Sequence, residues 1–410
     1  MGELICRSCG TALNHVFVDL GMSPLSNAYL QESQLLEPET FFPLKVFVCH
    51  HCLLVQLPEF EPPERIFVDY AYFSSVSESW LRHCEAYADA MRERLSLGPE
   101  SLVMEVASND GYLLQYFQRA GIPVLGVEPA ANVAEAAVAA GIPTVVRFFG
   151  VETAEELVEE GRRADLLIGN NVLAHVPDVN DFVEGLRRVL KPSGVLTLEF
   201  PHLARLMRER QFDTIYHEHF SYLSFAVVNR ILAEHGLTVF DVEELPTHGG
   251  SLRVFAGLSE SAPGILPGVP ALLHREAAEG FTRLEHYLGF EAEVAKVKRD
   301  LLSFLINSRE NGLTVVGYGA AAKGNTLLNY CGIRTDLLEY VADLSPHKQG
   351  RFLPGTHIPI VAPERIRATK PDFVLILPWN LRAEIMEQMS FIREWGGRFV
   401  VPIPRLEILA

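Results

Sequence analysis

Two cysteine pairs, Cys6-x-x-Cys9 and Cys49-x-x-Cys52, constrain the start of this chain more than any other feature. Each C-x2-C turn can present two thiolates to one metal ion, and two turns complete a tetrahedral site. Residues 10–48 separate the pairs, a 39-residue gap longer than a compact zinc ribbon carries, which points to a small subdomain folded around the knuckles. Four thiolates leave no open coordination position, so the expected zinc is structural rather than catalytic. Four buried or redox-paired cysteines are the competing reading, and His50 or His51 replacing a thiolate is a weaker one. Cys84 and Cys331 read as buried thiols.

At 410 residues, the chain has room for two or three domains. A 48% hydrophobic and 21% charged composition is that of a soluble globular protein with ample core. The net charge of −17 argues against a non-specific nucleic-acid binder, which needs a basic surface. It leaves room for a local basic pocket around a nucleotide diphosphate. No apolar run reaches the ~18 residues that span a bilayer, and no basic-then-apolar leader pattern opens the chain, so no membrane partner is expected. Thiolate ligands fit a reducing compartment, the cytoplasm. The modular build is compatible with a monomer.

The chain reads as three parts: residues 1–70 with the cysteine pairs, 71–260, and 261–410. Residues 76–97 read as an amphipathic helix. Then Leu102–Val106, Val124–Val127, Thr144–Val146, Leu166–Ile168 and Val195–Phe200 alternate with helical stretches, the pattern of a doubly wound parallel sheet. Leu237–Val242 and Leu252–Phe255 read as an antiparallel pair, and Glu276–Ser308 as one long helical stretch. A second, smaller α/β region follows, in which Val315 and Val316 lead into Gly317-Tyr318-Gly319 and a helix beginning near Ala321.

Glu105-Val-Ala107-Ser-Asn109-Asp110-Gly111 falls where the first strand turns into a helix, the place where open parallel sheets bind ligands. Glu128, 17 residues beyond Gly111, ends the second strand, where a carboxylate can accept from both ribose hydroxyls. NAD folds share that device. Asp165-Leu-Leu-Ile-Gly-Asn170-Asn171-Val-Leu-Ala-His175-Val-Pro177-Asp178, followed by Leu190-Lys-Pro-Ser-Gly194, discriminates. Together these segments resemble class I S-adenosylmethionine-dependent methyltransferases, although Ala107 and Asn109 replace two glycines of that family's E-x-G-x-G-x-G loop. The resemblance implies that Glu105, Ala107, Asn109 and Gly111 line the methionine and ribose end of the cofactor, that Glu128 and Pro129 follow on the ribose side, and that Asn170 or Asn171 lies beside the sulfonium. Phe148 and Phe149 are candidates to flank the adenine, with core packing as the alternative.

Methyl transfer to carbon needs a base to make a carbanion or enolate, and Tyr216-His217-Glu218-His219-Phe220-Ser221-Tyr222 offers one. Histidine titrates near pH ~6.5 and can accept a proton at neutrality. Glu218 and His219 diverge in a helix and face opposite sides in a strand, so they cooperate only on an irregular turn or through a third group such as Tyr216. With the cysteine pairs, Tyr70-Ala-Tyr72-Phe-Ser-Ser, His248-Gly-Gly and Val316-Gly-Tyr318-Gly-Ala-Ala-Ala-Lys323, the chain resembles the nucleotide-diphosphate-sugar C-methyltransferases of deoxysugar biosynthesis over nearly its whole length. That family includes the thymidine-diphosphate-sugar C-3'-methyltransferase of the tetronitrose pathway. The resemblance implies an α/β architecture: an N-terminal zinc-binding module, a class I methyltransferase sheet, and a second, C-terminal Rossmann-like domain. It implies a 4-keto-6-deoxy sugar nucleotide as substrate. His219 is then the general base, Tyr216 and Glu218 assist, and His175 and Tyr72 share the active site. His217 stands where an acidic residue is expected, which leaves the sugar open.

Small residues after a strand present backbone N–H groups to an anion at a helix N-terminus. Tyr318, Gly319, Ala320 and Lys323 are therefore candidates for the sugar nucleotide, with Lys348 and Arg351 on a later loop that reads equally well as a solvated charged surface. A nicotinamide site lacks the full fingerprint. A small-molecule O- or N-methyltransferase and a non-catalytic sugar-nucleotide binder are the other readings.

Overall fold

The structure, a computed structural model, describes residues 4–62, 74–76 and 78–410. Contacts group the chain into two compact units. The first holds the described parts of Met1–Leu13, Cys49–His202 and Phe220–Thr282, and the second holds Asn14–Val48, Leu203–His219 and Arg283–Ala410.

The first unit is built on a seven-stranded sheet in the order Leu237–Leu245, Ser251–Leu258, Leu190–Pro201, Ala164–Asn170, Val103–Val106, Val124–Val127, Thr144–Val145. The five strands from Leu190–Pro201 to Thr144–Val145 run parallel, and Ser251–Leu258 pairs antiparallel with both of its neighbours. Val103–Val106 and Val124–Val127 are buried at every residue, which is why they lack the alternation of a half-exposed strand, with Glu105 the one charged residue among them. Chain order reverses at Val103–Val106, so the carboxyl ends there open a crevice. The helix Val179–Val189 starts at Asp178, whose side chain accepts from the backbone of Asn180 and Asp181. Its Val179, Phe182, Val183, Leu186 and Val189 recur at helical spacing and are buried.

Helix Gly268–Glu279 is tied to helix Phe225–Glu234 by one buried carboxylate. Glu276 accepts from the Phe225 and Ala226 amides at 2.7 and 2.8 Å, and from His202 Nε2 at 2.7 Å. Those amides are orphan donors of a helix start, where negative charge is also favoured by the helix dipole. The expected long helix over 276–308 is three: Gly268–Glu279, Leu284–Leu288 and Phe290–Glu310. Gly280, left-handed at φ +105°, ends the first.

The second unit carries the antiparallel pair His15–Ser23 and Phe42–Val48 and a six-stranded sheet. The sheet order is Ile360–Val361, Val341–Ala342, Val315–Tyr318, Phe373–Ile376, Arg398–Val401, Glu407–Leu409, parallel except for the last strand. Gly319, at φ +90°, turns the chain from Val315–Tyr318 toward helix Ala322–Cys331, and a Cβ there would sit 2.4 Å from Pro378.

Replacing Glu276 with alanine strands a buried amide, a partly buried amide and a buried imidazole, and a cost on the order of 3–5 kcal/mol is expected in urea unfolding. Gln at the same position should recover part of it.

Candidate functional site

The four sulfurs of Cys6, Cys9, Cys49 and Cys52 lie within 4.8 Å of one another, the one metal-ligand cluster among the described residues. Cys6 and Cys52 are 3.5 Å apart, Cys9 and Cys49 3.6 Å. Four sulfurs about 2.3 Å from a tetrahedral zinc stand roughly 3.8 Å apart, so the cage fits the ion. The two knuckles are alike: the amide of Gly10 donates to Cys6 O and that of Leu53 to Cys49 O, with both residues left-handed. His50 and His51 are exposed and outside the cluster. Gln56 Nε2 donates to Cys6 Sγ at 3.1 Å.

At the carboxyl end of Val103–Val106, Glu105 is fully buried and neither carboxylate oxygen finds a partner of hydrogen-bond geometry. Burial holds its pKa well above the carboxylate range against the pull of the Tyr112 hydroxyl, and the Glu128 and Asp110 charges add to the rise. Ala107 and Asn109 adopt φ of +56° and +49°, so the two residues that replace glycines keep a glycine-like backbone. Gly111 follows at φ +78°, and a Cβ there would lie 2.8 Å from Ile142. Glu128 accepts from the amides of Asn109 and Ala130, each at 2.9 Å, so its carboxylate also braces the loop. A buried carboxyl with only the Tyr112 hydroxyl acting on it, beside a left-handed loop, fits a ligand that brings its own donors, as an amino-acid ammonium and ribose do. Pro129 is partly buried; Phe149 packs edge-on against Phe182 at 5.6 Å, and Phe148 is 45% exposed.

Asn170 ends Ala164–Asn170 with its buried Oδ1 without a partner. Asn171, at φ +53°, donates through Nδ2 to His248 Nε2 at 3.2 Å. His175 closes a short turn, Leu173–His175. Beside them Glu199, wholly buried, meets Arg253 Nη2 at 2.9 Å, His83 Nε2 at 3.1 Å and Thr247 Oγ1 at 2.8 Å. Burial alone raises its pKa, but the His83 hydrogen bond and the Arg253 charge outweigh it and hold the group ionised below its usual range. Trp80 stacks on His83 at 5.0 Å and lies 5.3 Å from His248.

In the second unit, Tyr216–His219 forms a tight turn closed by His219 N–H to Tyr216 O at 2.9 Å. The irregular turn required for cooperation is present, but the orienting partner is not the adjacent carboxylate. His219 Nδ1 donates to Thr214 O at 2.9 Å, and its ring centroid is 4.1 Å from that of Tyr216. A carbonyl only accepts, so Nδ1 carries the proton and the neutral ring has its lone pair on Nε2. Glu218 is buried and accepts from Asn27 Nδ2 at 2.7 Å; burial raises its pKa and the Asn27 bond partly opposes this. His217 packs edge-on to Phe42 and donates to Pro43 O at 3.3 Å, with its pKa lowered by burial. Tyr72 lies outside the described residues.

The Tyr318–Lys323 loop is only partly as expected. The Ala320 amide is taken by Asp343 at 2.7 Å, and its carbonyl accepts from Tyr29 Oη and Lys348 Nζ. That amide is therefore not open to an anion. Tyr318 Oη is buried without a partner. Lys323 lies 4.9 Å over the Trp379 ring and reaches Asn380 Oδ1 at 3.2 Å, with its pKa lowered by burial and held up by Asp213. Asp213, fully buried, accepts from Trp379 Nε1 at 2.7 Å. Burial pushes it to about 7 against the pull of Lys323. Arg351 is exposed.

Three family models match in chain order: a zinc binding domain over residues 6–67, a methyltransferase domain over 80–242 and a C-methyltransferase C-terminal domain over 246–404. C-methyltransferase NovU of Streptomyces niveus is 36% identical over 405 residues, 99% of this chain and 96% of that protein. The chain belongs to the C-methyltransferase family. A shorter match is the ubiquinone biosynthesis O-methyltransferase of Bartonella tribocorum, 32% identical over 108 residues, 26% of this chain and 44% of that protein. Among solved structures, magnesium protoporphyrin IX methyltransferase of Synechocystis PCC 6803 is 17% identical, covering 47% of this chain and 88% of that one at a TM-score of 0.33. The PH0226 protein of Pyrococcus horikoshii OT3 is also 17% identical, covering 48% and 99% at 0.39. This C-methyltransferase has the class I methyltransferase fold, takes its methyl group from S-adenosylmethionine and holds a structural zinc. No helix among the described residues is long and apolar enough to cross a membrane.

Sequence reasoning passed over Arg7, Asn27, His83, Glu199, Thr214 and Arg253. The one visible signal was a lone charge in each of two apolar strands, and the register sets those two, Arg253 and Glu199, directly opposite each other.

Two outcomes follow from these sites. Metal analysis of the purified C-methyltransferase should give about one zinc per chain, and Cys49→Ser should lower that content and the unfolding midpoint together. Asp213, raised from 3.8 to about 7 in the fold, contributes stability that is complete below pH 3.8 and lost as pH climbs through 7. Urea titrations should therefore show the wild-type-minus-Asp213→Asn stability difference falling between these pH values, by at most about 4 kcal/mol, and flat above.

Proposed function

We propose that this C-methyltransferase methylates C-3' of a nucleotide-diphosphate 4-keto-6-deoxy sugar, with thymidine diphosphate as the carrier, and that His219 is the base. The observation that carries the reading is the bond from His219 Nδ1 to Thr214 O, which leaves the basic lone pair on Nε2. The sugar ketone acidifies the neighbouring C–H. Nε2 takes that proton and the C–H electron pair becomes the enolate. S-adenosylmethionine supplies the electrophilic methyl group for this carbon. The developing enolate oxygen calls for donors, a role assigned to the Tyr216 hydroxyl, His175 and Tyr72. Glu218, held by Asn27, supports the turn.

Glu105, Ala107, Asn109, Gly111, Glu128, Pro129, Asn170 and Asn171 are assigned to the cofactor, with Phe148 and Phe149 at its adenine. Tyr318, Gly319, Ala320, Lys323, Lys348 and Arg351 are assigned to the sugar nucleotide. Asn27 holds Glu218 while Tyr29, two residues on, holds Ala320 O, so one short stretch braces both the base-bearing turn and the nucleotide loop. We assign residues 1–70, 71–260 and 261–410 to zinc, cofactor and sugar nucleotide respectively. The enzyme is taken to act as a cytoplasmic monomer. The likeness to C-methyltransferase NovU over 96% of that protein supports carbon as the acceptor over oxygen or nitrogen.

The test is a 4-keto-6-deoxy sugar nucleotide in heavy water, with and without S-adenosylmethionine. Wild type should wash deuterium into the acceptor carbon and, with the cofactor, add one methyl mass. His219→Asn should lose both by at least about 10²-fold while binding S-adenosylmethionine normally. Near-normal turnover in that variant would discard His219 as the base.

A further inference from the structure

Arg7 lies inside the first metal knuckle, between Cys6 and Cys9, and its guanidinium reaches three segments far away in sequence. Nη1 donates to Pro177 O at 3.0 Å, Nη2 donates to Leu57 O, and the guanidinium carbon stands 5.3 Å from the centre of the Phe220 ring. The knuckle beneath it is fixed twice over. Arg7 N–H donates to Gln56 Oε1 at 2.9 Å while Gln56 Nε2 donates to Cys6 Sγ, and Asn180 Nδ2 donates to Ser8 O at 2.9 Å. Phe220 is bound on both sides of its backbone: its N–H donates to Ala174 O at 2.7 Å, and its O accepts from Leu57 N at 2.9 Å. The contacts close a ring: Arg7, Leu57, Phe220, Ala174, and back through Pro177. His175 lies between Ala174 and Pro177, and Phe220 is the residue that follows His219.

We propose that Arg7 is a positioning residue that clamps the 173–177 loop and Phe220 to the metal knuckle, so that the zinc module sets the placement of His175 and of the main chain leaving His219. The chemistry selects arginine. Two carbonyls in different directions and an aromatic face are met at once by a planar fork with several donors, whereas lysine offers a point charge on a flexible stem. The catalytic consequence rests on the roles given above to His175 and His219; the clamp itself does not.

Hydrogen–deuterium exchange on the full-length, zinc-loaded enzyme separates the two. In Arg7→Ala, zinc content and S-adenosylmethionine affinity should stay within about twofold, while exchange at 172–177 and 220–222 rises about tenfold or more. The value of kcat should fall by a similar factor and recover in part with millimolar guanidinium. Arg7→Lys should show the same pattern at smaller amplitude, and it carries the test should the alanine variant not fold. Unchanged exchange in these segments overturns the clamp, whatever happens to kcat. Raised exchange with unchanged kcat upholds the clamp and overturns its catalytic consequence.

Discussion

A carboxylate sealed from water must find donors or keep its proton, and the crevice of the larger sheet is arranged around that requirement. Glu105, Asn170 and Glu199 lie at or near the carboxyl ends of three adjacent parallel strands, and all three are buried. Glu199 meets the requirement internally, through Arg253, His83 and Thr247. Glu105 and Asn170 do not: Glu105 is acted on by the Tyr112 hydroxyl alone, without a bond of full geometry, and Asn170 Oδ1 has no partner. The cost of such groups is of order 1–3 kcal/mol each, and a ligand carrying donors offsets it on arrival. Glu199 is thus satisfied within the protein, whereas Glu105 and Asn170 keep hydrogen-bonding capacity for a ligand, the role proposed for them above.

Most of the architecture was legible because its signals are local. Strands buried on both faces appear as mainly apolar runs without alternation, and Val103–Val106, despite Glu105, and Val124–Val127 were readable on that ground. The cysteine pairs declare themselves by spacing. The left-handed loop at Ala107, Asn109 and Gly111 follows its strand where order and distance along the chain place it, although two of the expected glycines are replaced. The break of the 276–308 stretch was missed although Gly280 stood inside it; a single glycine in a helical pattern is ambiguous until its φ is known.

The remainder was hidden for a different reason. Asn27 meets Glu218 across 191 positions, and Arg7 meets Pro177 across 170. No periodicity encodes such pairs. The orienting partner of His219 was sought in its neighbour Glu218 and is a main-chain carbonyl five residues earlier. Every residue carries a carbonyl, so sequence cannot single that one out. The adjacent segment is anchored in turn, since Asp213 binds Trp379 and Ile215 O accepts from Thr326. The imidazole is thus oriented by backbone that is itself pinned on both sides.

The left-handed backbone at Ala107 and Asn109 has an evolutionary side. Both residues sit in a region that costs side chains with a Cβ roughly 1–2 kcal/mol, asparagine somewhat less. Returning either to glycine relieves torsional strain but also enlarges the entropy of the unfolded loop, and these contributions oppose each other. At a left-handed position the strain outweighs the entropy, so a return to glycine at Ala107 is expected to be mildly stabilising. Glycine counting alone will under-recognise loops of this kind, whereas the path of the main chain remains a dependable marker.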